Sequence, residues 1–172
     1  MAEAGRLLSV KNAGIRTVNE TTKVTVDGRP ATPHESMYLL LHSRLHRDRP
    51  PDLAILAFPW EIESYFDDEA YVHVRPKILV VPLAGRRDGP PLLAVELVSP
   101  NSTLNAKKQA YARCGVRDYW AVDPLEPSLT AFELDMHGHY HTVANITGDE
   151  PFEATRPFPV RIVLTDPLGR DE

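Results

Sequence analysis

Between Leu92 and Val98 the chain reads LLAVELV, an apolar run broken by one glutamate. Strands that face solvent on one side alternate apolar and polar residues, whereas a short continuous apolar run marks a central strand covered on both faces. The run therefore predicts a layered α/β fold, because apolar material must lie above and below it. Glu96 becomes the residue to explain. An isolated carboxylate in an apolar interior is costly enough that it is normally neutralised, paired with a cation or bound to a metal. The competing reading is a strand with one exposed face, on which Glu96 is simply solvated.

A cation is available on the next element. Ser99-Pro100-Asn101-Ser102-Thr103 supplies turn and capping residues for a helix from about Leu104 to Cys114, with Gly115 placed as its C-terminal stop. Leu104, Lys107, Tyr111 and Cys114 follow the spacing of a single helical face, which should pack on the sheet. A lysine on that face either snorkels to the surface or turns its ammonium toward an anion, and Glu96 is the nearest choice in sequence. Lys108 is the neighbouring alternative, on a wetter face. A strand carboxylate beside a lysine suits metal-assisted phosphodiester hydrolysis: carboxylates hold Mg²⁺, the metal polarises the phosphate and acidifies a bound water, and the lysine stabilises developing charge. Such a site needs at least one further acid.

The remaining elements follow from local signals. Thr32-Pro33-His34-Glu35 is a capping box with proline at the first helical position, and Met37, Leu40, Leu41 and Leu45 give the helix an apolar face that ends near residue 48. Leu53 to Phe58, Tyr71 to Val81 with a bend at Pro76, and Leu92 to Val98 read as a strand meander. Asp118 to Asp123 follows the second helix as a strand. Ser128 to Leu134 and Tyr140 to Ile146 add an antiparallel pair around a turn at Met136 to His139, and Phe158 to Val163 adds a last extended segment. The order is helix, three strands, helix, strand, then extra antiparallel strands. The chain of 172 residues fits one domain over 23–165, after a weakly patterned segment 1–22 and before a short tail 166–172.

Composition narrows the setting. No apolar stretch is long enough to span a bilayer, the N-terminus lacks a secretory pattern, and Cys114 is the lone cysteine, which together predict the reducing cytoplasm. Arginine outnumbers lysine 14 to 5, as in high-GC bacterial genomes. A net charge of -5 argues against a generally basic nucleic-acid binder, but residues 75–117 carry eight basic and two acidic side chains. Arg75, Arg86, Arg87 and Lys108 in that stretch are the candidate DNA contacts, unless these charges are only solvated faces.

The phrases PLLAVELVSP, KKQAYARCGVRDYWAVDPLEPSLTAFEL and ITGDEPFEATRPFPV resemble the Uma-two family of restriction endonucleases, within the PD-(D/E)xK nuclease superfamily. Upstream the resemblance thins to VDGRPATPHE and RPKILVV, and residues 1–22 match nothing. It implies a restriction endonuclease-like core, a Mg²⁺ cofactor and a DNA substrate, with Glu96 as the metal-binding acid and Lys107 as the catalytic lysine displaced onto the helix. Three departures accompany it. Where the family has Pro-Asp, this chain has Pro76-Lys77, so an ammonium replaces the first metal ligand and could pair with Glu96. The family's acid ahead of Asp27-Gly28 is absent, because Lys23-Val24-Thr25-Val26 stands there. The loop before Lys107 is short, with Thr103 in place of a frequent aspartate. Asp67, Asp68 and Glu69 are the weak alternatives for a replacement ligand, against a reading as a solvated turn. Two functions remain open at this stage: an endonuclease with a weakened or relocated Mg²⁺ site, and a non-catalytic descendant in which Lys77, Glu96 and Lys107 form a charge network and the protein binds DNA or a protein partner.

Weaker signals are set aside. His137, His139 and His141 alternate, but Gly138 marks a turn that breaks the face a metal would need. Cys114 reads as a small core residue, and Trp60, Tyr119 and Trp120 as core or strand residues rather than base-stacking platforms. The added C-terminal strands could support a homodimer.

Overall fold

The computed structural model describes residues 16–18, 21–23, 25–26, 29–57, 62–66, 70–84, 89–98 and 104–166, with side chains in 29–57, 74–84, 89–98 and 104–166. The N-terminal segment holds two small hairpins, β1 (Arg16–Val18) with β2 (Thr21–Lys23) and β3 (Thr25–Val26) with β4 (Arg29–Pro30). Helix α1 (Pro33–Asp48) starts as its capping box predicts: Thr32 Oγ1 accepts from the Glu35 amide at 3.2 Å, and Glu35 Oε2 accepts from the Thr32 amide at 2.8 Å. Arg29 clamps the same carboxylate at 2.9 and 2.6 Å.

The central sheet contains β5 (Leu53–Ala57), β8 (Ile78–Pro82), β9 (Leu93–Leu97), β10 (Asp118–Asp123), β11 (Ser128–Leu134) and β12 (Tyr140–Thr147), in the order β12-β11-β10-β9-β8-β5. β5, β8 and β9 form the antiparallel meander the sequence predicts. α2 (Leu104–Arg113) crosses over to β10, which runs parallel to β9, and Gly115 at φ +71° ends the helix in the left-handed conformation that glycine tolerates best.

Two hairpins lie outside the expected pattern. The single segment foreseen over Tyr71 to Val81 is two strands in different sheets: β7 (Ala70–Val74) pairs with β6 (Ile62–Phe66), while β8 joins the central sheet. Pro76 separates them, having no N–H to donate to a ladder. Near the C-terminus β14 (Val160–Ile162) lies within the extended segment expected over Phe158 to Val163 and packs against α1, while its partner β13 (Phe152–Ala154) was not foreseen.

β9 is buried along its whole length, as its apolar run requires. Its side chains alternate between two cores. Leu93, Val95 and Leu97 meet Leu40, Leu41, Trp120 and Ile162 on the α1 side, while Ala94 meets Tyr111, Val116 and Tyr119 on the α2 side. Leu41 is fully buried, so truncating it to alanine should cost about 2–5 kcal/mol.

Candidate active site

Strand alternation puts Glu96 on the α2 side with Ala94, where it is 1% exposed. α2 brings two side chains one turn apart to meet it. Tyr111 donates its hydroxyl to Glu96 Oε1 at 2.6 Å, and Lys107 Nζ lies 3.0 Å from Glu96 Oε2. Both carboxylate oxygens are thus engaged by one helical face. Burial first, and the charge of Glu96 second, push the Tyr111 hydroxyl far above the ordinary phenol range, so it stays protonated and donates. The Lys107 side chain is 35% exposed, which leaves the ammonium in reach of water and eases the desolvation a fully buried pair would suffer.

Tyr119 completes the wall. Its ring packs on Tyr111 with centroids 5.1 Å apart and stacks on Phe132 at 5.6 Å, yet its buried hydroxyl has no hydrogen-bond partner among the described residues. Burial and then Glu96 push that phenol upward too, so the group is an undissociated hydroxyl within electrostatic reach of the carboxylate. It is core, as the sequence predicts, with a polar tip.

Lys77 directly precedes β8, the neighbour of β9 in the sheet. Its amide donates to the Val95 carbonyl at 2.9 Å, so Lys77 and Ile78 both lie across from Val95. Lys77 is exposed and lines a cleft of about 350 Å³ with His34, Glu35, Tyr38 and Leu97. Glu96 and Lys107 therefore meet on the α2 side of the sheet, whereas the cleft that Lys77 lines opens on the α1 side with Tyr38 and Leu97.

The donor set tests the Mg²⁺ that the resemblance implies. Glu96 has both oxygens engaged by a hydroxyl and an ammonium, and among the described residues no three His, Cys, Asp or Glu side chains group as metal ligands. The described residues do not fit a divalent-metal site. Asp67, Asp68 and Glu69 lie outside the described residues, as do Arg86 and Arg87. Of the other candidate DNA contacts, Arg75 is exposed between β7 and β8, and Lys108 holds its ammonium 4.0 Å from the centre of the Phe132 ring, a cation–π contact.

The discounted signals fall as follows. Gly138 takes φ +80° in the turn, and Asp135 Oδ1 accepts from the His137 and His139 amides at 2.8 Å each, so this segment is built as a turn. Cys114 is half-buried at the end of α2, and burial pushes its thiol up, away from the reactive thiolate. Trp120 is core, packed edge-on against Phe152, and Trp60 lies outside the described residues. Sequence reasoning used Tyr111 only to mark a helical face. The four-residue step from Lys107 to Tyr111 was the available signal, since residues so spaced reach the same neighbour.

Comparison with known proteins agrees with this architecture. No functionally curated protein matches the chain in sequence. The fold is similar to the crystal structure of "a putative nuclease belonging to DUF820 from Anabaena variabilis ATCC 29413", with a TM-score of 0.54, 17% identity, and coverage of 84% of this chain and 85% of that one. In sequence, residues 26–166 match the family described as "Putative restriction endonuclease". That match spans most of the chain, which belongs to the Uma2 family.

Proposed function

We propose that this chain is a cytoplasmic restriction endonuclease-like protein that engages DNA and whose Mg²⁺-dependent phosphodiester hydrolysis is weakened or lost. The carrying observation is the engagement of both Glu96 oxygens by Tyr111 and Lys107, and it is joined by a lysine, Lys77, where the resemblance implies the first metal-binding aspartate. A lysine at that sequence position supplies no carboxylate for a divalent cation. The family and the fold supply the nuclease expectation and the DNA substrate. A non-catalytic role in binding DNA or a protein partner is favoured by the completeness of the Glu96, Lys107 and Tyr111 contacts, which balance the buried charge with no metal.

Supercoiled-plasmid nicking in Mg²⁺ and in Mn²⁺ tests the reading, with Glu96→Ala purified in parallel to expose contaminating nuclease. The expected result is little or no nicking by the natural protein and a gain of metal-dependent nicking in Lys77→Asp. Strong nicking by the natural protein that disappears in Glu96→Ala would show a complete site and send the search for its second ligand to Asp67, Asp68 and Glu69.

A further inference from the structure

Helix α1 carries a stripe of rings that the Glu96 site does not use. Tyr38, His42 and His46 recur every fourth residue, and four residues of α-helix rise about 6 Å, so these side chains stand one above another. The rings are stacked: centroids lie 5.8 Å apart for Tyr38 and His42 and 5.9 Å apart for His42 and His46, with planes inclined by 25° and 29°. His42 is half-buried and His46 is exposed, so the pair is open to solvent. Burial first, and His46 second, hold the His42 imidazole below its ordinary pKa, which favours the neutral ring with a free lone pair. Burial pushes the Tyr38 phenol up, so that ring keeps its proton and backs His42 as a flat plate. Arg47, the cation next to His46 in sequence, has Asp48 at 2.7 Å.

We infer that His42 and His46 form a two-histidine site for a divalent transition-metal ion of the zinc class on the surface of α1, with water completing the shell. Chemistry and geometry agree on that ligand. Neutral imidazole suits zinc, copper and nickel, whereas Mg²⁺ takes oxygen ligands. Two histidines four residues apart on one helical face are the pairing by which zinc metalloproteases hold their ion. Zinc–nitrogen bonds of about 2.0–2.1 Å place two imidazole centres on one tetrahedral ion roughly 5 Å apart, so a modest turn of the exposed His46 ring closes the present 5.9 Å. The helix fixes both backbones, so the second histidine binds as an intramolecular ligand. This site lies on the α1 side of the sheet, away from Glu96 and the Mg²⁺ that the resemblance implies there.

The test is a titration of the full, untagged chain with ZnCl₂, read by ¹H–¹⁵N correlation of the imidazole nitrogens, with MgCl₂ at equal ionic strength as control. Shifts of His42 and His46 that saturate at one ion per chain are expected with Zn²⁺ and not with Mg²⁺. His46→Ala should weaken binding about a hundredfold, the advantage of an intramolecular second ligand. His139→Gln, in the histidine-rich turn between β11 and β12, should leave it unchanged. Shifts at His42 and His46 that fail to saturate, that Mg²⁺ reproduces, that persist undiminished at His42 in His46→Ala, or that His139→Gln abolishes overturn the site. His46 is exposed, so its removal spares the core, and the Mg²⁺ comparison uses the natural protein alone.

Discussion

The hydroxyl of Tyr111 and the carboxylate of Glu96 lie 2.6 Å apart although fifteen residues separate them in sequence. That contact ties the middle of α2 to the central strand and fixes one oxygen of the buried acid. Lys107, one turn earlier, holds the other at 3.0 Å. Any chemistry at Glu96 therefore begins from a carboxylate whose orientation the helix sets.

Tyr111→Phe keeps the ring and removes the donor, leaving Glu96 Oε1 bare in a buried site. A loss of about 1.5–3 kcal/mol in stability is expected, the worth of a hydrogen bond to a charged group. Urea denaturation should show a lower midpoint with an unchanged slope. A midpoint equal to that of the natural protein would mean that water or another donor replaces the hydroxyl.

Lys107→Met should destabilise by about 1–3 kcal/mol, below the range for a fully buried pair because Lys107 keeps access to solvent. Adding Glu96→Gln to that variant removes the uncompensated charge and should recover part of the loss. A double-mutant cycle is the measurement, and a coupling of at least about 0.5 kcal/mol is expected. Simple additivity would place the two side chains apart in solution.

Burial raises the carboxyl of Asp118 against the opposing pull of Arg156. A folded-state value above the unfolded one, about 3.9, means the native state holds the proton more tightly, so this contribution to stability is full below that pH and is lost as pH rises through the folded value. Stability of the natural protein relative to Asp118→Asn should accordingly decline across that window and level off above it. Urea midpoints at a series of pH values read this directly, and the opposite slope would contradict it.

Glu35 carries the reverse sign. The Arg29 guanidinium and then the Thr32 amide hold its carboxyl down to about 2. Its contribution is present above the unfolded value of about 4.3 and is lost as pH falls from there through the folded value. Glu35→Gln should therefore lower stability at neutral pH and converge with the natural protein in strong acid. A constant difference at every pH would assign the effect to helix propensity instead of charge.

Much of this architecture is written locally. The capping box at Thr32 to Glu35 sets the start of α1 because its hydrogen bonds span three residues. The unbroken apolar run at β9 announces burial on both faces, and the spacing of Leu104, Lys107, Tyr111 and Cys114 announces which side of α2 meets the sheet. These patterns depend on backbone periods that neighbouring residues impose on one another. The pairing of Lys107 with Glu96 was legible too, as a buried charge in search of a cation. Other features were not. The β6–β7 and β13–β14 hairpins are short, and their pairing depends on distant packing more than on their own residues. Tyr111 acts as a donor because the β9–α2–β10 crossover sets its hydroxyl at a carboxylate fifteen residues away. Arg156 bridges Asp118 and Glu133, 38 and 23 positions earlier, because the β10–β11 register places those acids side by side. Contacts of that kind belong to chain topology, which brings together side chains that no local period relates.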